Sequence, residues 1–362
     1  TFDGTSAGIP FRIESLTASQ KSALDTSPPK TAEKVMYLRG EAVSGYRTRS
    51  QKLGDIVNSA PVFLDDVIYA GSNDGMLHAF DAATGEEIFA YVPNVVFGNL
   101  SLLTDPGYTH RFYVDLTPTV KKGKDILVAG TTDTLLVGGL RKGGKGYFGL
   151  KVTNSKSITT ETELAQRVLW EFPKTYDPYM GYSFSKPVIV KSNDSKYPWV
   201  VIFGNGYNSD SGKSALYIID AITGALIKRI DAGTGPDNGL STPIAVDPTH
   251  DEKVDFVYAG DLQGNLWKFD LSQSDSTLWN VAFMPSGVAQ PLFQAKGPGG
   301  TVQPITTRPD VMYHPEKHGF IVCFGTGKYF RHHVSQRTPF FSCIAPLGTG
   351  CFHGCLDLAP GG

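Results

Sequence analysis

The chain has 362 residues, a formal net charge of −2 and a pI near 6.4. That balance removes the basic footprint of a nucleic-acid binder and the polybasic segment of a membrane-surface contact. Hydrophobic residues at 41% and aromatic residues at 11% suffice for a sizeable core, which excludes wholesale disorder. No apolar run approaches the ~18 residues of a membrane-spanning helix. The 40 glycines and 23 prolines, about 17% of the chain against a usual ~12%, point to many turns. Four cysteines in this length are not a disulfide scaffold. A chain beginning Thr1-Phe2-Asp3-Gly4 reads as a fragment or mature segment of something longer.

Residues 1–50 read as a lead-in with short helices. Thr17-Ala18-Ser19-Gln20 fits a capping box ahead of Ala23-Leu24. Pro28-Pro29 is expected to stop that helix, and residues 33–39 to add a second helical turn or two.

From Lys52 onward short β-branched and aromatic runs alternate with turn residues, as in a succession of strands. Five segments place a proline ahead of an extended run: Ser59-Ala60-Pro61-Val62, Leu116-Thr117-Pro118-Thr119, Ser185-Lys186-Pro187-Val188, Ser241-Thr242-Pro243-Ile244 and Thr307-Arg308-Pro309-Asp310. Each is followed by an apolar run ending at Gly71, Gly138, Gly204, Gly260 or Gly325. The prolines are 57, 69, 56 and 66 residues apart. Proline suits the first residue of a strand, where its missing N–H costs no ladder bond. The glycines allow positive φ or a close backbone approach. A repeated meander of this kind predicts an all-β fold, a β-propeller, with an irregular β-sandwich as the alternative.

Searches for catalytic chemistry end without a site. Gly206 to Ser214 is similar to a phosphate loop, but five residues separate Gly206 from Gly212 where four are needed, and no βαβ unit surrounds it. His314-Pro315-Glu316-Lys317-His318 has the wrong order for a zinc protease and a proline against the helix. The chain is therefore read as a non-enzyme.

The sharpest chemical signal is Asp247-Pro248-Thr249-His250-Asp251-Glu252-Lys253-Val254-Asp255. Asp247, Thr249, Asp251 and Asp255 carry oxygens at relative positions 1, 3, 5 and 9, and Lys253 at position 7 has a backbone carbonyl to offer. Alternating oxygens of this kind let a looping chain surround one hard cation such as Ca²⁺. A solvated, Asp-rich hairpin turn accounts for the same residues, and on spacing alone it is the preferred reading. The loop is not an EF-hand: Glu252 stands where that loop needs glycine, and Tyr258 where it needs a bidentate Glu.

Several ordered motifs resemble one family. They are Tyr37-Leu38-Arg39-Gly40-Glu41, Leu53-Gly54-Asp55-Ile56-Val57-Asn58-Ser59-Ala60-Pro61-Val62, Gly71-Ser72-Asn73-Asp74-Gly75-Met76-Leu77-His78-Ala79-Phe80-Asp81, Leu136-Val137-Gly138-Gly139-Leu140, Gly204-Asn205-Gly206-Tyr207-Asn208-Ser209, Val257-Tyr258-Ala259-Gly260-Asp261-Leu262-Gln263-Gly264-Asn265-Leu266-Trp267 and Gly325-Thr326-Gly327-Lys328-Tyr329-Phe330. Together, over about residues 35–330, they resemble the C-terminal propeller domain of the PilY/PilC family of type IV pilus tip-associated proteins.

The resemblance implies a modified β-propeller of about seven blades, complete or incomplete in this chain, over residues 51–330. It also implies one Ca²⁺ loop at 247–255. Asp247, Asp251 and Asp255 match the family's loop and Lys253 takes its carbonyl position, while Thr249 departs from its Asn or Asp. With the resemblance, calcium becomes the preferred reading. It further implies a secreted factor at the pilus tip or bacterial cell surface, associated with the outer membrane. Such a factor controls pilus extension and retraction, twitching motility and surface attachment. Its partners are minor pilins and host or surface ligands, with no nucleic acid and no membrane span.

Two other functions stand as alternatives. One is a quinoprotein-like enzyme using pyrroloquinoline quinone, suggested by the turn Asp81-Ala82-Ala83-Thr84-Gly85. The other is a carbohydrate- or protein-binding propeller using Tyr176, Tyr179 and Tyr182. Residues 331–362 depart from the family. There Cys343, Cys351, Cys355 and His353 read as a divergent tail, with a metal or disulfide knot as the alternative.

Overall fold

Each proline-led segment opens an antiparallel sheet in the computed structural model, which describes residues 1–233, 235–315 and 319–328 and the backbone of 354–358. Pro61 precedes β1 (Val62–Leu64), followed by β2 (Val67–Gly71), β3 (Leu77–Asp81) and β4 (Glu87–Tyr91). Pro118 precedes β5 (Thr119–Lys124), β6 (Thr132–Gly139), β7 (Tyr147–Lys151) and β8 (Val168–Phe172). Pro187 precedes β9 (Val188–Lys191), β10 (Trp199–Gly204), β11 (Ala215–Asp220) and β12 (Leu226–Asp231). Pro243 precedes β13 (Ile244–Val246), β14 (Phe256–Gly260), β15 (Asn265–Asp270) and β16 (Asn280–Val281), with β17 (Phe293–Gln294) also paired to β15. Pro309 precedes β18 (Asp310–Tyr313), β19 (Phe320–Phe324) and β20 (Gly354–Leu358).

Apart from β17, which returns to β15, consecutive strands are neighbours in every sheet, so each sheet is a meander. The first strands touch in order, β1 with β5, β5 with β9, β9 with β13 and β13 with β18. That is the arrangement of propeller blades, with the first strand of each innermost. The described residues hold five such sheets. Repeats this long leave room for one blade per proline-led segment, fewer than the seven expected of the family.

The middle strands explain the continuous apolar runs. Period-two alternation sends neighbouring residues to opposite faces. Leu136 therefore joins the core shared with the first sheet, whereas Leu135 and Val137 join the core shared with the third. Val201 and Phe203 face the second sheet, and Val200 and Ile202 face the fourth. Strands covered on both sides carry no polar face.

The lead-in packs on the first sheet. Phe2, Phe11, Leu24 and Leu38 share a core with Tyr69, Leu77 and Phe89. The helix α1 (Ala18–Leu24) is capped by Thr17, whose hydroxyl accepts from the Gln20 N–H while the Gln20 side chain accepts from the Thr17 N–H. The helix α2 runs over Pro28–Leu38, longer than expected. Pro28 and Pro29 open it rather than only closing α1, because the first turn has no intrahelical use for their missing N–H groups. Two shorter helices, α3 (Phe97–Leu100) and α4 (Glu161–Ala165), lie in the connections.

A repeated polar stitch joins the sheets. The buried Ser59 hydroxyl accepts from the Gly71 N–H (2.8 Å) and donates to the Leu116 carbonyl of the next sheet (3.2 Å). Two repeats later the Ser185 hydroxyl accepts from Gly204 N–H (2.9 Å) and donates to the Ser241 carbonyl (3.3 Å). The glycines are required by close approach: a Cβ at Gly71 would stand 2.3 Å from the Val114 carbonyl oxygen, and one at Gly204 2.4 Å from that of Ser241. Ser241 occupies the same repeat position between the fourth and fifth sheets. Among the described residues its buried hydroxyl has no partner. Truncating Ser59 or Ser185 to Ala should therefore cost about 1–3 kcal/mol in urea unfolding, because each leaves a buried N–H and carbonyl unpaired. Ser241→Ala should leave stability unchanged or raise it. Equal losses at all three positions would show that the stitch contributes nothing.

Candidate metal centre

The predicted loop is the β13–β14 connection. Ile244 pairs with Tyr258 and Val246 with Phe256, so residues 247–255 project from the end of an innermost strand. His250 and Glu252 adopt left-handed φ values of 60° and 69°, which coil the chain back on itself.

Coiling gathers the acidic side chains around one hydroxyl. Thr249 Oγ1 lies 3.1 Å from an Asp247 oxygen and 3.3 Å from one oxygen each of Asp251 and Asp255. A hydroxyl carries a single proton. It can satisfy one of the three carboxylates at a time, and the other two then face it lone pair to lone pair. Backbone N–H groups donate to two of the same carboxylates. His250 and Glu252 donate to the two oxygens of Asp247, both at 2.7 Å, and Lys253 donates to Asp251 at 3.0 Å.

The three carboxylates differ in environment. Hydrogen bonding from the Lys253 N–H is the main cause holding the Asp251 carboxyl below its ordinary range. Asp255 is the buried member, and burial pushes its carboxyl up, with the charges of Asp251 and Asp247 acting in the same direction. One Asp255 oxygen accepts from the Asn193 amide at 3.1 Å.

The donor set fits a hard cation: three anionic oxygens and a neutral hydroxyl oxygen converge, with no nitrogen or sulfur among them. The spacing is not that of an assembled site. Among the described residues no three His, Cys, Asp or Glu side chains are arranged to hold a metal ion. Here the carboxylates close on a hydroxyl and on N–H donors. Lys253 supplies an N–H to this network, and its ammonium stands 3.5 Å from the second Asp251 oxygen.

The loop is bound to sheets on both sides, which the sequence motif did not reveal. Toward the third sheet, Glu252 pairs with Lys191, the Val254 N–H donates to the Lys191 carbonyl (2.9 Å), and the Asn193 amide donates to the Val254 carbonyl (2.9 Å). Toward the fifth sheet, the His250 ring nitrogen lies 2.9 Å from the Tyr313 hydroxyl, with the rings 5.6 Å apart. The available signal was the repeat itself, which aligns the β9–β10 turn with the β13–β14 loop.

Other motifs resolve as structure. Asp81 Oδ1 accepts from the N–H groups of Ala83 (2.8 Å) and Thr84 (3.3 Å), and Asp220 does the same for Ile222 and Thr223. The Asp81 turn read as quinoprotein-like thus uses its Asp to hold backbone N–H groups and to pair with Lys156. Residues 206–214 form the β10–β11 loop, with no helix after it to cradle a phosphate. Arg229 covers the Tyr179 ring at 3.5 Å and Met180 is buried, so of the aromatic cluster Tyr176 is the exposed member. Glu316 to His318, and the side chains of Cys343, Cys351, His353 and Cys355, lie outside the described residues.

A second charged cluster escaped sequence reasoning. His78 on β3 has Nδ1 2.7 Å from Glu87 and Nε2 3.1 Å from Asp74. Two carboxylate acceptors on both ring nitrogens require the imidazolium. Burial opposes that charge, but the hydrogen bonds to Asp74 and Glu87 outweigh it and raise the group to about 9. Its stabilisation is complete below the ordinary value of 6.5 and is lost as pH rises through about 9. Unfolding free energy should fall between those limits, by on the order of 1–3 kcal/mol. His78→Gln should flatten that slope in denaturant titrations run across the same range. An unchanged slope would remove His78 as its source.

The family model described as the PilY1 beta-propeller domain matches residues 56–338. The chain belongs to the PilY1 β-propeller family. It is 38% identical over 386 residues to the type IV pilus biogenesis factor PilY1 of Pseudomonas aeruginosa strain PAO1, a match covering 91% of this chain and 32% of that protein. A PilY1 homolog from Xylella fastidiosa strain Temecula1 is 37% identical over 350 residues, covering 82% of this chain and 23% of that one. The crystal structure of the Pseudomonas aeruginosa PilY1 C-terminal domain superposes with a TM-score of 0.61 at 39% identity, over 73% of this chain and 53% of that chain. The chain thus spans about a third, or less, of the curated relatives it matches. The PilY1 family assignment agrees with the resemblance carried by the motifs and with the blade-like sheets.

Proposed function

We propose that this PilY1-family propeller is a calcium-responsive, non-catalytic part of a type IV pilus biogenesis factor. It would act at the pilus tip or bacterial cell surface, with minor pilins and surface or host ligands as partners. The observation that carries the calcium reading is three carboxylates gathered around a hydroxyl with one proton. Their mutual repulsion is left standing, and a divalent cation would offset it.

The Asp247, Asp251 and Asp255 carboxylates, the Thr249 hydroxyl and the Lys253 carbonyl are the groups that would hold the ion. Calcium supplies charge neutralisation there. Asn193 orients Asp255, and Lys191 keeps the neighbouring Glu252 paired outside the ligand set. His250 carries the loop's position to Tyr313 of the fifth sheet. Through such contacts, ordering of one hairpin becomes ordering of two sheet junctions. Pilus extension and retraction, twitching motility and attachment are the processes this response would control.

Calcium titration calorimetry should give an affinity of about 10⁻⁴–10⁻³ M, the range of extracellular modules. Asp251→Ala should weaken it by at least about tenfold. Calcium at about 100 times its dissociation constant should stabilise the fold by about 2.7 kcal/mol in thermal unfolding. Equal binding by the parent and Asp251→Ala would remove this loop from the mechanism. In the source bacterium, Asp251→Ala in the full-length factor should impair twitching and surface piliation, and normal twitching would overturn the pilus role of the loop.

A further inference from the structure

A cavity of about 360 Å³ lies on the opposite side of the chain's repeat order from the acidic loop, between α2, residues 47–55 and the first sheet. Its volume is within the range of small-ligand sites. Three cations line it: Arg47, Arg49 and Lys52. The Arg47 guanidinium lies 4.1 Å from the Tyr108 ring centroid, and that of Arg49 lies 3.8 Å from the Tyr37 ring centroid. Arg49 also donates to the carbonyls of Tyr37 (2.7 Å) and Glu41 (3.4 Å). Among the described residues none of the three cations has a carboxylate within ion-pair distance.

Two acids also line the cavity, and both are committed elsewhere. Asp55 is held by His110 (2.8 Å) and Asn73 (3.1 Å). Asp74 is held by His78 (3.1 Å) and by the Gly54 N–H (2.7 Å). The remaining field is positive. The tyrosine rings cover one face of each guanidinium, and the N–H groups of Arg47, with those of Arg49 not taken by the Tyr37 and Glu41 carbonyls, form the recognition surface. Planar forks of that kind pair with carboxylate or phosphate oxygens. Ser50 and Gln51 add neutral polar residues to the lining.

We propose that this cavity binds a small anion through carboxylate or phosphate oxygens, with Arg47 and Lys52 as the unpaired charges and Arg49 as the fixed one. The site is independent of calcium and of the acidic loop.

The test is calorimetric titration of the whole chain at low salt with two probes, inorganic phosphate and glucuronate. Either probe should bind, and Arg47→Gln combined with Lys52→Gln should weaken binding by at least about tenfold. Phosphate alone binding assigns the site to phosphoryl groups; glucuronate alone assigns it to carboxylates. Asp251→Ala should bind the anion as the parent does. Thermal unfolding of the double variant checks that it is folded. If it is not, Arg47→Lys serves, and should lose affinity by severalfold because a fork is replaced by a point charge. No heat from either probe at tens of millimolar, or equal binding by parent and folded variant, overturns the proposal.

Discussion

Burial of the middle strands on both faces is the constraint from which the rest of the structure follows. A strand such as β10, with Val200, Val201, Ile202 and Phe203 all buried, cannot present a polar face to water. It needs a sheet on each side. That requirement stacks the meanders side by side and makes each core the joint property of two sheets. It also requires each polar group buried at a junction to find a specific partner. Ser59 and Ser185 satisfy a glycine N–H and a carbonyl that the packing would otherwise bury unpaired.

On this scaffold the acidic loop concentrates charge: its carboxylates accept from backbone N–H groups and the Asn193 amide, yet all three also crowd one hydroxyl. Elsewhere the buried carboxylates are well partnered: Asp261 accepts from Asn238, Asn265 and the Trp267 indole, all within 3.0 Å. In the loop, three carboxylates share one hydroxyl proton, and the buried one among them is pushed toward its neutral form. The hairpin is also tied to Lys191 and Asn193 on one side and to Tyr313 on the other. Among the described residues the neighbouring Ser241 hydroxyl has no partner, whereas Ser59 and Ser185 make the stitch.

The lead-in has a role distinct from the blades. Its helices bury Leu24 and Leu38 against the first sheet and, in doing so, leave a cationic cavity beside residues 47–55. Long side chains laid over tyrosine rings keep their charge outward while their stems and faces are packed. The acids nearby are hydrogen-bonded, Asp74 by His78 of β3 and Asp55 by His110. Packing of the lead-in, rather than the repeat, generates that surface.

Much of the architecture was legible in residue order. Proline at the first strand, glycine at the end of the second and the apolar run between them are local demands, so they marked all five sheets and the position of the acidic loop. The capping box of α1 was legible for the same reason. Pro28-Pro29 misled, since the same residues open a helix as readily as they close one. Which oxygens of residues 247–255 converge, that Lys253 brings an N–H to Asp251, and that His250 reaches Tyr313 were decided only by the fold. The His250–Tyr313 contact joins residues 63 apart in the chain and depends on how neighbouring sheets pack, while the convergence within 247–255 depends on the left-handed turns at His250 and Glu252. A linear pattern records what each strand must bury; it carries no measure of the distance between one strand and the next.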